Sequence, residues 1–199
     1  MTGLSPLPPG SEIALFGTSA DPPTLGHQAL LRGLLRRFPR VATWASDNPM
    51  KVHGAALGDR AALLAALVAA LDDPRLEHAQ ELSSPWAITT LERAGRRWPQ
   101  AGLVFVVGSD LVPQIPRWKA AGDLLQRCRL AIVPRHGWPL APASLEELTG
   151  LGGRFEQLPL AIPATASSNV RHQPRRDQVP AAVWPVLLKH NLYGLAADR

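Results

Sequence analysis

The sequence predicts an α/β fold: a doubly wound parallel sheet with helices on both faces. Between residues 13 and 133, short apolar runs alternate with helical patterns in the order βαβαβαβαβ, and right-handed crossovers turn that order into a parallel sheet. The runs are apolar at successive positions, as in strands covered on both faces. The first run also passes through a glycine-containing turn straight into a helix, a junction that leaves backbone N–H groups and a positive helix end free for an anion.

Each element has its own signal. Ile13-Ala14-Leu15-Phe16 reads as a buried strand. After the turn, a helical pattern opens from Gln28, with Leu30, Leu31, Leu34, Leu35 and Phe38 on its apolar side. Val41 to Trp44 forms a second strand, Arg60 to Leu71 a helix, Arg75 to Ala79 a strand, and Trp86 to Trp98 a helix. Leu103 to Val107 is the most apolar strand and ends in Gly108. A short helix from Ala120 to Arg127 leads into Leu130 to Val133. Beyond it, Gly137 to Gly153 reads as a connection with one helical turn at Ser144 to Leu148, and Phe155 to Leu158 as a strand. Pro163 to Ser168 reads as a loop, followed by helical stretches ending near Leu188. With no internal repeat or composition break, residues 11–199 read as one domain behind a flexible, proline-rich extension at residues 1–10.

Composition narrows the function. The chain has 199 residues and a formal charge of +5, which invites a nucleic-acid reading. Its arginines, however, pair up where helices end (Arg36-Arg37, Arg96-Arg97, Arg175-Arg176) and do not interleave with aromatics as a stacking platform would. We therefore expect small anionic substrates and no nucleic-acid partner. No apolar run reaches the roughly 18 residues that a membrane span needs, so no membrane partner is expected. The one cysteine, Cys128, excludes an internal disulfide and fits a reducing cytosol. Arg127 and Arg129 flank it and would lower its pKa, while a core position would leave it inert. The six histidines, His27, His53, His78, His136, His172 and His190, lack the paired spacing of a metal site.

In such folds ligands sit beyond the carboxyl ends of the strands. That directs attention to Gly17 to His27, Asp47 to Lys51, and Gly108 to Asp110. His27 falls on the first helical turn beside the anion site, and Lys51 is a compact point charge suited to a phosphate.

The ordered motifs resemble a known family. Gly17 to His27 is similar to the G-x-F-D-P-x-[HT]-x-G-H signature of the nucleotidyltransferases. Asn48-Pro49-Met50-Lys51, Trp86 to Leu91, Phe105 to Asp110 with Trp118, Val133-Pro134-Arg135, Thr165 to Arg171 and Asn191-Leu192-Tyr193 resemble, in order, motifs of bacterial nicotinate-nucleotide adenylyltransferases. The resemblance implies a Rossmann-like fold, a cytoplasmic enzyme of NAD biosynthesis, and attack of nicotinate mononucleotide on the α-phosphate of ATP. It also implies Mg²⁺ arriving with ATP; the oligomeric state is left open, a homo-oligomer included.

By the same resemblance His27, Thr24, Lys51 and Arg171 serve catalysis. Gly17, Thr18, Gly26, Gly108, Asp110, Ser167 and Ser168 bind ATP, while Asn48, Trp86, Ala87, Trp118 and Arg135 face the pyridine nucleotide. Thr24 stands at the motif's first histidine position, where its hydroxyl is expected to donate to a phosphate. Ala20, Ala87, Thr89 and Ala166 depart from the family's usual phenylalanine, threonine, aspartate and serine. Pantetheine-phosphate adenylyltransferase, which shares the first motif, and a non-catalytic nucleotide-binding relative are the alternatives.

Overall fold

The computed structural model describes residues 8–49, 51–163 and 165–195. Its strands are β1 (Glu12–Thr18), β2 (Arg40–Ala45), β3 (Leu76–His78), β4 (Gly102–Gly108), β5 (Arg129–Val133) and β6 (Arg154–Gln157). They form one sheet in the order β3-β2-β1-β4-β5-β6, with every neighbouring pair parallel. The order reverses between β1 and β4, and a crevice opens beyond their carboxyl ends at such a reversal.

The helices are α1 (Leu25–Arg37), α2 (Leu57–Leu71), α3 (Ala87–Arg97), α4 (Ala121–Arg127), α5 (Pro142–Gly150), α6 (Ser167–His172) and α7 (Trp184–Lys189). Side chains of one strand alternate between two cores because strand residues point to opposite faces in turn. Ala14 and Phe16 join Leu31 and Leu34 of α1 and Leu63, Leu64 and Leu67 of α2 on one face. Ile13 and Leu15 join Leu91 of α3, Leu124 and Leu125 of α4 and Leu148 of α5 on the other.

Several boundaries differ from the sequence reading for local reasons. Helix α1 begins at Leu25, three residues before the apolar periodicity at Gln28 becomes visible, because Thr24 holds extended backbone and serves as its N-cap. It ends at Arg37, since Phe38 precedes Pro39 and takes an extended conformation. Arg175-Arg176 does not close a helix: Pro174 follows the end of α6, and Arg175 pairs with Asp177 at the start of a 3-10 turn. A second 3-10 segment, Val112–Arg117, was not expected; Pro113 and Pro116 disguise it. Of the expected flexible extension, residues 1–7 lie outside the described residues, while Gly10 donates to the Gln100 carbonyl at 3.1 Å.

Candidate active site

The loop from β1 to α1 is built around His27. At the third position of α1 its Nδ1 accepts the Thr24 backbone N–H at 3.1 Å. That acceptance fixes Nδ1 as the unprotonated nitrogen and leaves the proton on Nε2, which lies 2.9 Å from the Thr18 hydroxyl oxygen. Burial, and next the Arg135 charge, push the His27 pKa down to about 4. The imidazole is therefore neutral at physiological pH, a donor through Nε2 at the carboxyl end of β1.

Thr24 is fully buried, and its hydroxyl donates to the Thr165 carbonyl at 3.0 Å. With no exposed surface and its proton turned to that carbonyl, Thr24 does not match the expected phosphate donor; its backbone N–H sets the tautomer of His27, which is only part-buried. The glycines act through close approach. A Cβ at Gly17 would lie 2.7 Å from the Trp44 ring, and one at Gly26 would lie 3.0 Å from the Pro163 carbonyl oxygen. Gly26 thus lets Ile162 and Pro163 pack against the helix start, and nearby Ser167 Oγ donates to the Pro22 carbonyl at 2.8 Å. Ser168 is exposed beside it.

At the end of β4, Asp110 folds back over Gly108. A Cβ there would meet the Asp110 carboxylate at 2.3 Å, and Arg135 Nη1 holds the other carboxylate oxygen at 2.7 Å. The Arg135 charge also reaches His27, where it adds to burial in lowering the imidazole pKa. Ser109 is buried and its Oγ accepts the Arg135 backbone N–H at 2.9 Å, tying the ends of β4 and β5 together.

The aromatic flank lies on the α3 side of the sheet. Trp118 packs edge-on against Phe105 at 6.4 Å, and Phe105 against Trp44 at 6.3 Å, so the core anchors a part-buried Trp118. Trp86 is 45% exposed at the start of α3, next to part-buried Ala87, and the Lys119 ammonium stands 5.1 Å from its ring centroid. On the loop after β2, Asn48 is part-buried and Lys51 exposed; Met50 lies outside the described residues.

Sequence reasoning missed two residues that hold these loops. Asp21 is 1% exposed, and its carboxylate accepts the N–H groups of Gly54 and Ala55 at 2.7 and 3.2 Å. Arg171, expected on the phosphates, donates to the Asp21 carbonyl at 2.7 Å and sits 3.5 Å from its carboxylate. Arg60 of α2 is 2% exposed and donates to the carbonyls of Ala55, Ser19 and Ser46, joining the loops after β1 and β2. A carboxylate inside an anion-binding loop was the available signal for Asp21, because it demands a cation. Arg60 offered none in an alanine- and leucine-rich helix. Cys128 is buried inert core, its thiol pushed up to about 12 by burial that outweighs the neighbouring arginines.

Comparison with known proteins places this geometry in a family. Residues 15–178 match the cytidylyltransferase-like model. A protein of Synechocystis named probable nicotinate-nucleotide adenylyltransferase is 39% identical over 92% of this chain and 98% of its own length. One of the same name from Thermus thermophilus is 32% identical over 91% and 98%. A Plasmodium falciparum nicotinic acid mononucleotide adenylyltransferase, solved in complex with NaAD, superposes with a TM-score of 0.76 over 94% of this chain and all of that one at 16% identity; this shows the shared fold. The chain belongs to the cytidylyltransferase-like family and, within it, to the nicotinate-nucleotide adenylyltransferases.

Proposed function

We propose that the protein transfers the adenylyl group of ATP to nicotinate mononucleotide, giving nicotinate adenine dinucleotide and pyrophosphate for NAD synthesis. The observation that carries this reading is the pre-set His27, a neutral donor held by Thr24 and facing Thr18 at the β1 end of the crevice. A phosphate oxygen of the mononucleotide attacks the α-phosphorus of ATP, and the bond to the bridging oxygen of pyrophosphate breaks. The protein's task is alignment and stabilisation of charge on the transferring group. His27 Nε2–H and the Thr18 hydroxyl donate to phosphate oxygens, Arg171, Arg135 and Lys51 supply cations, and Gly17 and Gly26 let the chain approach closely. Ser167 and Ser168 border the triphosphate at the start of α6, and Asp110 over Gly108 accepts ribose hydroxyls.

Among the described residues no three His, Cys, Asp or Glu side chains converge on a metal position, and the Asp21 carboxylate is occupied by protein donors. We therefore assign Mg²⁺ to the ATP phosphates, whose charge it neutralises when bound. The pyridine ring lies between Trp118 and Trp86, near Ala87 and Asn48. Lys119 favours nicotinate over nicotinamide there, because a carboxylate gains from the ammonium and a carboxamide does not.

Among the described residues no helix is long and apolar enough to cross a membrane. We infer a cytoplasmic enzyme acting on small molecules, in line with its single, buried cysteine. The test is pyrophosphate release from Mg-ATP with nicotinate mononucleotide, nicotinamide mononucleotide or phosphopantetheine. We expect turnover with the first above the second, a Lys119→Ala variant that narrows that preference by about tenfold, and none with the third. Silence with both mononucleotides sinks the reading.

A further inference from the structure

The C-terminal turn reaches the centre of the site. Tyr193, in the 3-10 segment Leu192–Gly194, donates its hydroxyl to the Asp21 carboxylate at 2.6 Å. Asp21 thereby gathers four segments: its own phosphate loop, Gly54-Ala55 of the loop after β2, Arg171 of α6, and Tyr193. The packing around it is close. A Cβ at Gly54 would fall 2.6 Å from Arg171 Cδ and 3.1 Å from the Tyr193 ring. The backbone carries strain to achieve it, since Asn191 and Tyr193 both hold left-handed conformations, with φ of 49° and 56°. Such conformations persist in non-glycine residues where the surroundings over-determine them. Burial and the Asp21 charge also push the Tyr193 pKa up, so its hydroxyl stays a donor.

We propose that Tyr193 and Asp21 form a positioning pair that aims Arg171 at the ATP phosphates, making the C-terminal turn a working part of the nucleotide site. Among the described residues, Arg171 spends only its Nη1 on protein partners, both of them atoms of Asp21. The rest of the guanidinium fork stays available to a ligand. Tyr193 and the N–H groups of Gly54 and Ala55 hold the carboxylate as well, so it orients Arg171 without drifting toward it. This rests on the phosphate role given to Arg171 above.

The test is Tyr193→Phe, which removes one oxygen, read by equilibrium ATP binding and by kcat/KM for ATP. A lost hydrogen bond to a charged group predicts about a tenfold drop in both. The decisive readout is the Arg171→Ala substitution made in both backgrounds. Its effect shrinks about tenfold when Tyr193→Phe is already present, because the arginine is then already misplaced. Gly54→Ala, whose added methyl presses on both Arg171 and Tyr193, raises the KM for ATP as well, and it carries the test if Tyr193→Phe does not fold. ATP affinity within twofold of wild type in the folded variant, or equal Arg171→Ala effects in both backgrounds, overturns the proposal. Wild-type protein that binds ATP but transfers nothing overturns the functional reading alone, and the binding arm still decides the positioning pair.

Discussion

At the residue scale, His27 carries a sharp expectation about pH. Its pKa lies near 4 in the folded protein against an ordinary 6.5, so the unfolded chain takes the proton first as pH falls. The stability tied to its neutral form is fully present above pH 6.5 and is lost progressively as pH drops toward 4; it amounts to about 3 kcal/mol. Thermal melts of wild type and His27→Asn across that range should show it, with the wild type losing more stability on acidification. In turnover, His27→Ala removes a donor to the transferring phosphate and should lower kcat by about a hundredfold. The wild-type to His27→Asn ratio of kcat/KM should stay level from pH 5.5 to 8. Gly108→Ala drives a methyl group into the Asp110 carboxylate, at 2.3 Å, and should raise the KM for ATP while the fold survives. His27 was legible in the sequence because the G-x-x-x-x-x-x-T-x-G-H spacing runs within a single segment. Asp21 was not legible as a hub, because Gly54, Ala55, Arg171 and Tyr193 are its neighbours only after folding.

At the element scale, the strands and long helices could be read from apolar runs and periodicity, and most stand within a few residues of where those signals put them. What escaped was fixed by backbone chemistry without a periodic signature: the early start of α1 at its Thr24 cap and the proline-bearing 3-10 segment Val112–Arg117. Helix α2 shows how an element can serve the site from outside it. Its Arg60 crosses from the helix into the crevice wall and satisfies the Ser19 and Ser46 carbonyls at 2.7 and 2.9 Å. Arg60→Met keeps the stem and strands those acceptors, so it should destabilise the fold by about 3 kcal/mol. It should also raise the KM values of both substrates, because the loops after β1 and β2 lose their common tie. A variant that melts like wild type would contradict this.

At the scale of the whole molecule, one sheet divides two cores and is shared by both. Leu64 on one face and Leu124 on the other are each fully buried, so Leu64→Ala and Leu124→Ala should each cost about 2–5 kcal/mol. Both should lower one and the same thermal transition, since neither core exists without the strands between them; two separable transitions would refute that coupling. The reversal of strand order between β1 and β4 is what lets residues so distant in sequence as Thr18 and Asp110 border one crevice. The sequence carried the alternation of elements but not which strands become neighbours, and the lateral order settles which loops meet.

The contact between Arg135 and Asp110 has a consequence for how the site responds to its medium. The free protein does not present bare charges: this arginine and this carboxylate already answer each other at 2.7 Å. On the roles proposed for these two residues, arrival of a nucleotide is an exchange of partners, with the sugar approaching the acid and a phosphate the base. Dissolved ions act on the internal pair and on the incoming contacts alike, so the two changes largely offset each other. The KM for ATP should consequently climb only shallowly between low and moderate ionic strength, and Asp110→Asn, which leaves Arg135 unanswered, should make that climb steeper.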